Sequence, residues 1–447
     1  MTTIICIDFG TGMSKVAASV DGDDPFPIPM ASLVEDPVRV YPVDSSLLFS
    51  ADGMIYLGCK AVEQSLLHKS KPQRRLDSLK RRLTSGDLSD LKTDFLDKAF
   101  NRTGIEFSNA DAMTLMYSHI LYLTHEYLAD AYGDEILNDV KYRFTRPVFD
   151  VDRAGWFDNQ VVSSLSEALS INDQQKLDLS ESVSADDARK LLMSARRKKS
   201  GCSEKIHRTG FLEPIAAGML HLSRFENRRL LAAIMDIGAG TTDMAMFVSI
   251  QPDGKASIDR VMNLGQPISI NKAGDHIDDL LRMRIKKDAV QSKEKLSERD
   301  RIEIDLNIRR WKKDLFDFGE AIPTLSNGRV LSRITRHSFL SSPEYEKMKR
   351  DIIDALFSLF QSASKQIDFF ATARDFPASD IELIPAGGGA RLPIFEEIGK
   401  KKWQTSRPRL GINVQEAIPD EVPGYDDEYP QLSVALGGAH AELPNIV

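Results

Sequence analysis

The amino-acid sequence predicts an α/β protein built from two similar lobes. The first observation is a weak internal duplication: segments 4–20 and 232–248 each combine an apolar strand, an aspartate, a Gly-x-Gly turn and a second strand. The second is a set of amphipathic helices, such as 111–131 and 347–371, whose apolar residues recur at helical spacing. The third is the length of 447 residues, which suggests two or three domains.

The remaining elements follow from apolar runs and from the turn residues between them. A prolyl segment predicts an edge strand, because proline cannot donate to a central ladder, and Asp52-Gly53 predicts a hairpin turn. The predicted elements, in order, are an edge strand at 25–29, a hairpin at 45–58, a basic helix at 61–84, a strand at 139–146, a strand at 230–238, charged helices at 276–320, a strand at 381–385 and a helix from Pro393.

Composition narrows the classes of partner. The net charge of −8 argues against nucleic acid or an anionic membrane as the main partner, since both favour basic surfaces. The three cysteines are far apart and lack metal-ligand spacing, which is typical of thiols in a reducing compartment. We see no secretory leader and no run of the ~18 apolar residues that a membrane span needs. We therefore expect a cytoplasmic protein with no membrane span.

The first chemical motif is Asp8-Phe9-Gly10-Thr11-Gly12. Its glycines would let backbone N–H groups approach phosphate oxygens without obstruction by a β-carbon. An aspartate at a strand end can hold a hydrated magnesium ion, which takes few direct carboxylate ligands. Alone, this motif also fits a plain hairpin.

The second motif, 236–243, is longer and more specific. It contains two glycines, Gly238 and Gly240, two hydroxyls, and carboxylates at Asp236 and Asp243. A structural hairpin needs none of this chemistry, so the two motifs together predict a pair of phosphate-binding loops closing on one ligand.

The third motif is Ala386-Gly387-Gly388-Gly389-Ala390-Arg391-Leu392-Pro393, between a strand and a helix. Its glycines would let a flat adenosine group lie against the backbone, and Arg391 could stack on that group. A tight strand-to-helix turn is the alternative interpretation.

In this order, the three motifs resemble those of the superfamily of actin, bacterial actin-like proteins and the seventy-kilodalton heat-shock chaperones. The resemblance implies an actin-like ATPase fold of two ribonuclease-H-like lobes, with nucleotide in the cleft and with ATP/ADP and Mg²⁺ as cofactors. The first two motifs look like the family's phosphate loops and the third like its adenosine motif.

Several segments look like the chaperone branch in particular. SLKRRLTSG at 78–86 resembles the motif of its phosphate-contacting lysine, and LEPIAAG at 212–218 resembles the start of a helix that carries a catalytic carboxylate. The segments 273–278 and 309–315 resemble the entry to the second lobe and its adenine-side helix, and 433–439 resembles the closing helix.

The resemblance implies a role for each matching residue. The implied catalytic residues are Lys80, Glu213, Thr241 and Asp243, and the implied metal-binding residues are Asp8 and Asp236. The implied nucleotide-binding residues are Gly10, Thr11, Gly12, Lys15, Gly238, Ala239, Gly240, Thr241, Thr242, Lys312, Lys313, Gly387, Gly388, Gly389 and Arg391. The chaperones usually carry a second threonine where Gly12 stands, a difference that bears on the turnover rate more than on binding; Lys15 matches the actin pattern instead.

The resemblance also suggests domain boundaries. The polar, charged stretch 150–205 is longer than the chaperone pattern allows and is interpreted as an insertion or a peripheral helical excursion. The expected units are lobe I at 1–229 with a peripheral subdomain at about 36–110, lobe II at 230–430 with a peripheral helical subdomain at about 276–345, and a C-terminal segment at 431–447 whose helix returns to lobe I.

The leading functional hypothesis is a slow ATPase that works as a chaperone-like switch on protein partners, with the 150–205 stretch as a possible contact. The sequence reaches Val447 soon after the closing helix motif, so we expect no separate peptide-binding domain. The alternative is an actin-like protein that forms filaments with ATP. A small-molecule kinase and a nucleotide sensor without turnover stay open, as does the oligomeric state.

Overall fold

The computed structural model describes most of the chain. Parts of three predicted segments lie outside the described residues: 36–40 at the start of the peripheral subdomain, 85–86 at the end of the motif at 78–86, and 421–427 near the end of lobe II. The described ranges are 2–30, 41–67, 72–84, 88–174, 178–198, 201–224, 230–250, 260–291, 295–372, 380–404, 409–417, 428–440 and 445–446.

The first half of the chain alternates short strands with long helices. The strands are β1 (Thr3–Asp8), β2 (Met13–Val20), β3 (Phe26–Pro27), β4 (Val43–Asp44), β5 (Leu47–Phe49), β6 (Met54–Leu57), β7 (Val140–Arg146), β8 (Ser182–Ser184) and β9 (Phe211–Leu212). The helices are α1 (Gly58–Leu67), α2 (Arg81–Thr84), α3 (Asn109–Tyr132), α4 (Val151–Asn172), α5 (Ala185–Arg197) and α6 (Glu213–Arg224), with 3-10 turns at Asp134–Leu137 and Gly201–Lys205.

The first sheet has the strand order β3-β2-β1-β7-β9. β1 and β2 pair antiparallel around the first glycine turn, with Asp8 opposite Lys15. β7 pairs parallel to β1, and β9 parallel to β7. Parallel neighbours need a crossover, and α3 and α4 supply helices for it. Ser108 and Asp111 form a capping box that starts α3, as the sequence pattern favours.

The second half follows the same alternation. Its strands are β10 (Leu230–Ile237), β11 (Thr242–Ile250), β12 (Arg260–Ile270), β13 (Glu320–Ala321), β14 (Ile334–Thr335), β15 (Asp380–Ala386), β16 (Lys402–Gln404), β17 (Arg409–Val414) and β18 (Asn445–Ile446). Its helices are α7 (Gly274–Gln291), α8 (Glu298–Asp317), α9 (Arg336–Leu340), α10 (Pro343–Ser362), α11 (Ser364–Thr372), α12 (Ile394–Ile398) and α13 (Tyr429–Ala439).

The second sheet repeats the plan of the first. Its order is β16-β17-β15-β10-β11-β12-β18, in which β10, β11 and β12 are antiparallel neighbours. β15 pairs parallel to β10, and β17 parallel to β15. The order β12-β11-β10-β15-β17 therefore matches β3-β2-β1-β7-β9 strand for strand, and the duplicated hairpins of the sequence begin each series.

Each sheet has its own apolar core. The core of the first half runs from Ile5 to Ile206 along the chain, and that of the second from Leu231 to Ile412. The α/β class predicted from the sequence is confirmed. The hairpin predicted at 45–58 is also confirmed, since Gly53 has a positive φ of 83° at the turn between β5 and β6.

The described helices of the 150–205 stretch have buried inner faces. Phe157 and Leu165 of α4, and Leu192 of α5, are buried in the core of the first half. Arg196 does not face solvent alone, because it donates to the buried carboxylate of Asp111 at 2.7 Å. The polar composition reflects the outer faces of these helices, while their inner faces pack like any core helix.

The helix predicted at 347–371 is two helices. α10 ends at Ser362, and α11 begins at Ser364 after a break at Ala363. The apolar spacing continues through the break, so periodicity gave no sign of it. No helix in the described part of the chain has the length and apolarity needed to cross a membrane.

The helices α6 and α13 cross between the sheets. α13 packs on β1 and β2 through Leu432 and Leu436 and contacts β15 on its other side. The crossing is close: a β-carbon on Gly437 would lie 1.8 Å from the carbonyl oxygen of Ala216. Arg143 of β7 donates to the Gly438 and His440 carbonyls at the end of α13.

Candidate functional site

The two glycine turns face each other across the gap between the sheets. A β-carbon on Gly240 would lie 2.6 Å from the hydroxyl oxygen of Thr11, and one on Gly12 would lie 3.2 Å from the β-carbon of Ala239. The first turn follows β1 and the second follows β10, at equivalent ends of equivalent strands. The duplication therefore brings both predicted phosphate loops to one place.

Asp8 lies at the base of the first turn. Its side chain accepts from Lys15 Nζ at 3.1 Å and from the Thr145 hydroxyl at 3.2 Å. Lys15 reaches it because the antiparallel register places the two residues opposite each other. Thr145 comes from the end of the neighbouring parallel strand, so two strands fix the orientation of this carboxylate.

Lys80 and Glu213 form a buried ion pair. The ammonium nitrogen lies 2.5 Å from Glu213 Oε1, with the side chains 4% and 8% exposed. Burial raises the pKa of Glu213, and Asp243 and Asp8 add to the rise while Lys80 opposes it. Burial lowers the pKa of Lys80, but the negative charges of Glu213 and Asp8 outweigh it and raise the pKa overall.

Asp243 is held by the second turn. Its carboxylate accepts from the Thr241 hydroxyl at 2.6 Å and from the Val148 N–H at 3.1 Å. Burial raises its pKa, although these hydrogen bonds and the charge of Lys80 act against the rise. Thr242 points elsewhere, since its hydroxyl donates to the Lys272 carbonyl at 2.6 Å.

Asp236 is a buried carboxylate whose charged form is disfavoured by its surroundings. It is 5% exposed, and its Oδ1 atom has no hydrogen-bond partner among the described residues. Burial raises its pKa well above the ordinary value, and the charges of Glu213, Asp243 and Asp8 raise it further. A buried, unpaired carboxylate oxygen is costly unless a cation or a proton satisfies it.

These residues fit a magnesium ion held through water and phosphate. The cluster carries four negative charges when its carboxylates are ionised, on Asp8, Glu213, Asp236 and Asp243. Lys15 and Lys80 contribute two positive charges, so a divalent cation would neutralise the remaining negative charge. Within the described residues no group of three or more His, Cys, Asp or Glu side chains is placed to hold a metal directly. Magnesium commonly keeps several waters and uses one or two carboxylates, and the orphaned Oδ1 of Asp236 is a suitable acceptor for such a water.

The glycine cluster after β15 packs against the second turn. Gly387 has φ of 75°, and a β-carbon there would lie 2.2 Å from Asp236 Oδ1; one on Gly389 would lie 2.4 Å from Ile237 Cγ2. Gly388 borders open space, and Arg391 is exposed beside it. The cluster thus combines close backbone packing on one side with an open, sterically free side.

The two lysines predicted on the adenine-side helix are placed differently. Lys312 lies 3.1 Å from the Gly274 carbonyl and 2.9 Å from Asp278, next to the second turn, whose Gly238 carbonyl accepts from the Gly274 N–H. Lys313 lies on the outer side of α8, 3.4 Å from Asp317, and both side chains are more than a third exposed. The structure therefore brings Lys312 to the site and leaves Lys313 on the surface.

Two polar residues join the site that the sequence did not single out. Thr145 donates to Asp8, and Arg309 of α8 donates to Ser78 at 2.8 Å while approaching the Gly12 carbonyl at 3.5 Å. For Thr145, its place at the end of a predicted strand beside β1 could have been a signal. Arg309 begins the segment 309–315 that resembles the adenine-side helix, but nothing in the sequence distinguished its side chain from the other basic residues of this charged helix.

A surface cavity of about 610 Å³ lies away from this cluster. It opens between α3, α4 and the 3-10 turns, and its lining includes His125 and Tyr142. These two side chains already bond each other at 2.8 Å, and no residue of the three glycine motifs lines the cavity. The buried carboxylates and the facing turns are therefore the stronger candidate for chemistry.

The sequence of this chain matches no protein-family model and no curated protein in the comparisons. The geometry of the site and the motifs themselves are therefore what bear on function.

Proposed function

We propose that this chain is an ATP-binding protein with the two-lobed actin-like fold, that it hydrolyses ATP slowly, and that it acts as a chaperone-like switch on partner proteins. In this proposal the two sheets are the centres of duplicated ribonuclease-H-like lobes. The matching strand orders support it, because each series starts with a hairpin whose turn carries an aspartate and two glycines.

The observation that carries the proposal is the meeting of the two turns above a buried cluster of carboxylates and lysines. Backbone N–H groups of Gly10–Gly12 and Gly238–Thr241 would cradle the phosphates, since glycine leaves them accessible. Thr11 would add a hydroxyl contact, and Thr241 would do so after releasing Asp243. Lys15 and Lys80 would offset charge that develops on the phosphoryl oxygens.

The carboxylates have two roles in this proposal, metal binding and orientation of water. Asp8 and Asp236 would hold magnesium through water, and the ion would supply charge neutralisation on the phosphates. Glu213 and Asp243 would orient the attacking water. The raised pKa of Glu213 suits a group that accepts a proton near neutral pH. Positioning and electrostatics do most of the catalysis in phosphoryl transfer, which this arrangement can supply.

The glycine cluster would hold the adenosine. The open side at Gly388 leaves room for a flat ring, and Arg391 is close enough in sequence to stack on it. Because α6 and α13 cross between the sheets, closure on the γ-phosphate would turn one lobe against the other at this crossing. That motion would present a changed surface to a partner, which is how a nucleotide switch works.

The test is a titration with Mg-ATP, followed by phosphate release in single turnovers. The variants Asp236→Ala and Glu213→Ala should reduce hydrolysis by about 100-fold or more, as loss of an electrostatic or acid–base group does. Asp186→Ala, at an exposed position on α5, is the matched carboxylate control and should behave like wild type. Hydrolysis at the wild-type rate by both site variants would contradict the assignment.

The actin-like alternative has one specific observation in its favour. Lys15 lies directly at the first turn, beside Asp8, in the manner the actin pattern implies. Sedimentation velocity with magnesium, without nucleotide and then with ATP, separates the two functions. Large assemblies that dissolve as ATP is consumed support the filament; a compact species in both states supports the switch.

A further inference from the structure

Arg309 links the two halves at the mouth of the site. It lies on α8, whose inner face is anchored in the second core by Ile304, Ile308 and Trp311. Its guanidinium nevertheless bonds the first half: Nη2 lies 2.8 Å from the Ser78 hydroxyl and Nη1 lies 3.5 Å from the Gly12 carbonyl. One side chain therefore touches the first glycine turn and the segment that leads to Lys80.

The contact is part of a wider polar bridge between the halves. Ser78 donates to Asp275 at 3.2 Å, and Arg81 lies 3.6 Å from the same carboxylate. Farther out, Arg74 lies 3.0 Å from Glu298 at the start of α8. Arg309 is the innermost member of this bridge and the one that reaches a phosphate-loop carbonyl.

The charges around Arg309 come from both halves. It lies 3.7 Å from Asp275, and its side chain is 25% exposed. Burial lowers its pKa, but Asp77 and Asp44 of the first half, with Asp275 and Asp278 of the second, outweigh burial and raise it. The guanidinium therefore stays charged, and opening the gap would separate it from the carboxylates of the first half.

The Gly12 carbonyl is approached from two sides. The Ser45 N–H donates to it at 3.1 Å from within the first half, and Arg309 approaches it from the second. In the proposed function the N–H groups of this same turn bind the phosphates. A displacement of the Gly12 carbonyl would therefore move those N–H groups.

We infer that Arg309 is a positioning residue for nucleotide bound between the two turns: by tying Ser78 and the Gly12 carbonyl to α8, it keeps the gap closed and sets how long the ligand stays. The inference rests on the proposed function and adds to it the residue that governs release. It acts through the turn and makes no direct contact with the reacting phosphate.

The experiment compares Arg309→Ala with Arg310→Ala, an exposed arginine one position along the same helix. The readouts are the dissociation rate of a fluorescent ATP analogue, KM and kcat. Arg309→Ala should release the analogue about tenfold faster and raise KM about tenfold, as expected for loss of a charged hydrogen bond. It should change kcat by less than about twofold, because the catalytic groups remain. Arg310→Ala should match wild type.

The variant Arg309→Lys keeps the charge and loses the planar fork, so its release rate should fall between wild type and Arg309→Ala. Thermal melting of each variant shows whether it is folded, and the conservative Arg309→Lys variant keeps the test informative if Arg309→Ala is not. Equal release and equal KM for Arg309→Ala and Arg310→Ala, with a wild type that binds ATP, would overturn the inference and leave the proposed function intact. A fall in kcat and melting temperature with no change in KM or release would also overturn it. Failure of the wild type to bind Mg-ATP would overturn both.

Discussion

Lys80 donates a hydrogen bond to Glu213 from 133 residues away along the chain, at 2.5 Å and almost out of contact with water. Breaking such a pair on one side leaves the other charge buried, whereas replacing both sides by apolar groups can be neutral. The pair therefore makes a clear prediction about stability that does not depend on nucleotide.

The variant Lys80→Met should destabilise the protein by about 3 kcal/mol, because Glu213 loses its partner and must take up a proton. The double variant with Glu213→Leu should recover most of that loss. Urea unfolding followed by circular dichroism measures the order of the midpoints. A Lys80→Met midpoint equal to that of wild type would show that the pair does not form in solution.

The variant Gly240→Ala should weaken ATP binding by about tenfold, because its methyl group would meet the Thr11 hydroxyl at 2.6 Å and hold the two turns apart. Isothermal titration with Mg-ATP measures the change. Adding Thr11→Ala removes the obstructing hydroxyl and should restore part of the affinity. Gly155→Ala, which places the same methyl group in open space on α4, is the control and should bind like wild type.

The free protein should be stabilised by Asp236→Asn at neutral pH. In the unfolded chain this carboxyl has its ordinary pKa of 3.8, and folding raises it well above that value. The folded state therefore favours the protonated form: the stabilisation is complete below the ordinary pKa and is lost as the pH rises through the folded pKa. An asparagine at this position does not titrate, so the variant keeps this stabilisation as the pH rises.

Melting temperatures of wild type and Asp236→Asn, measured from about pH 5 to about pH 8, test this sign. The difference in favour of the variant should grow as the pH rises. Asp186→Asn, at an exposed position on α5, should run parallel to wild type over the same interval. A difference that shrinks with rising pH would mean that the carboxylate is satisfied as an anion in the folded protein.

The variant Gly437→Ala should lower stability by about 3 kcal/mol, at the upper end of overpacking costs. Its β-carbon would lie 1.8 Å from a backbone oxygen of α6, which cannot move aside without shifting the helix. Thermal unfolding against the Gly155→Ala control measures the cost. A melting temperature within a degree or so of the control would mean that α6 and α13 cross less closely than described.

The sequence predicted the elements near the chemistry well, because strand, turn and glycine signals coincide there. β1, β10, β15 and the hairpin at Asp52-Gly53 all lie where alternation and turn residues indicate. The burial of α4 within the polar stretch 150–205 was not predicted, because composition averages both faces of a helix and core-facing residues such as Phe157 are diluted by polar neighbours. The break at Ala363 leaves the apolar spacing intact, so no local signal marks it.

The residues of the candidate site also differ in how far the sequence predicts them. Local motifs single out Asp8, Asp236 and the glycines, whereas Lys80 and Glu213 were singled out through family resemblance alone and their pairing was not predicted. The resemblance placed Arg309 at the start of the segment 309–315, but the role of its side chain was not predicted, because that role depends on the approach of two halves that meet only in the folded chain. Long-range contacts between charged surface-type residues leave no periodic trace in the sequence.

The position of α13 has a consequence for synthesis on the ribosome. Its residues Leu432 and Leu436 cover Cys6 and Ala17 of the first sheet, so strands made at the start of translation wait for a helix made near residue 440. Chains usually fold from the N-terminus as they emerge, at roughly 5–20 residues per second. This sheet therefore spends about 20 to 85 seconds with one apolar face uncovered, and that interval is when the nascent chain is most exposed to misassembly.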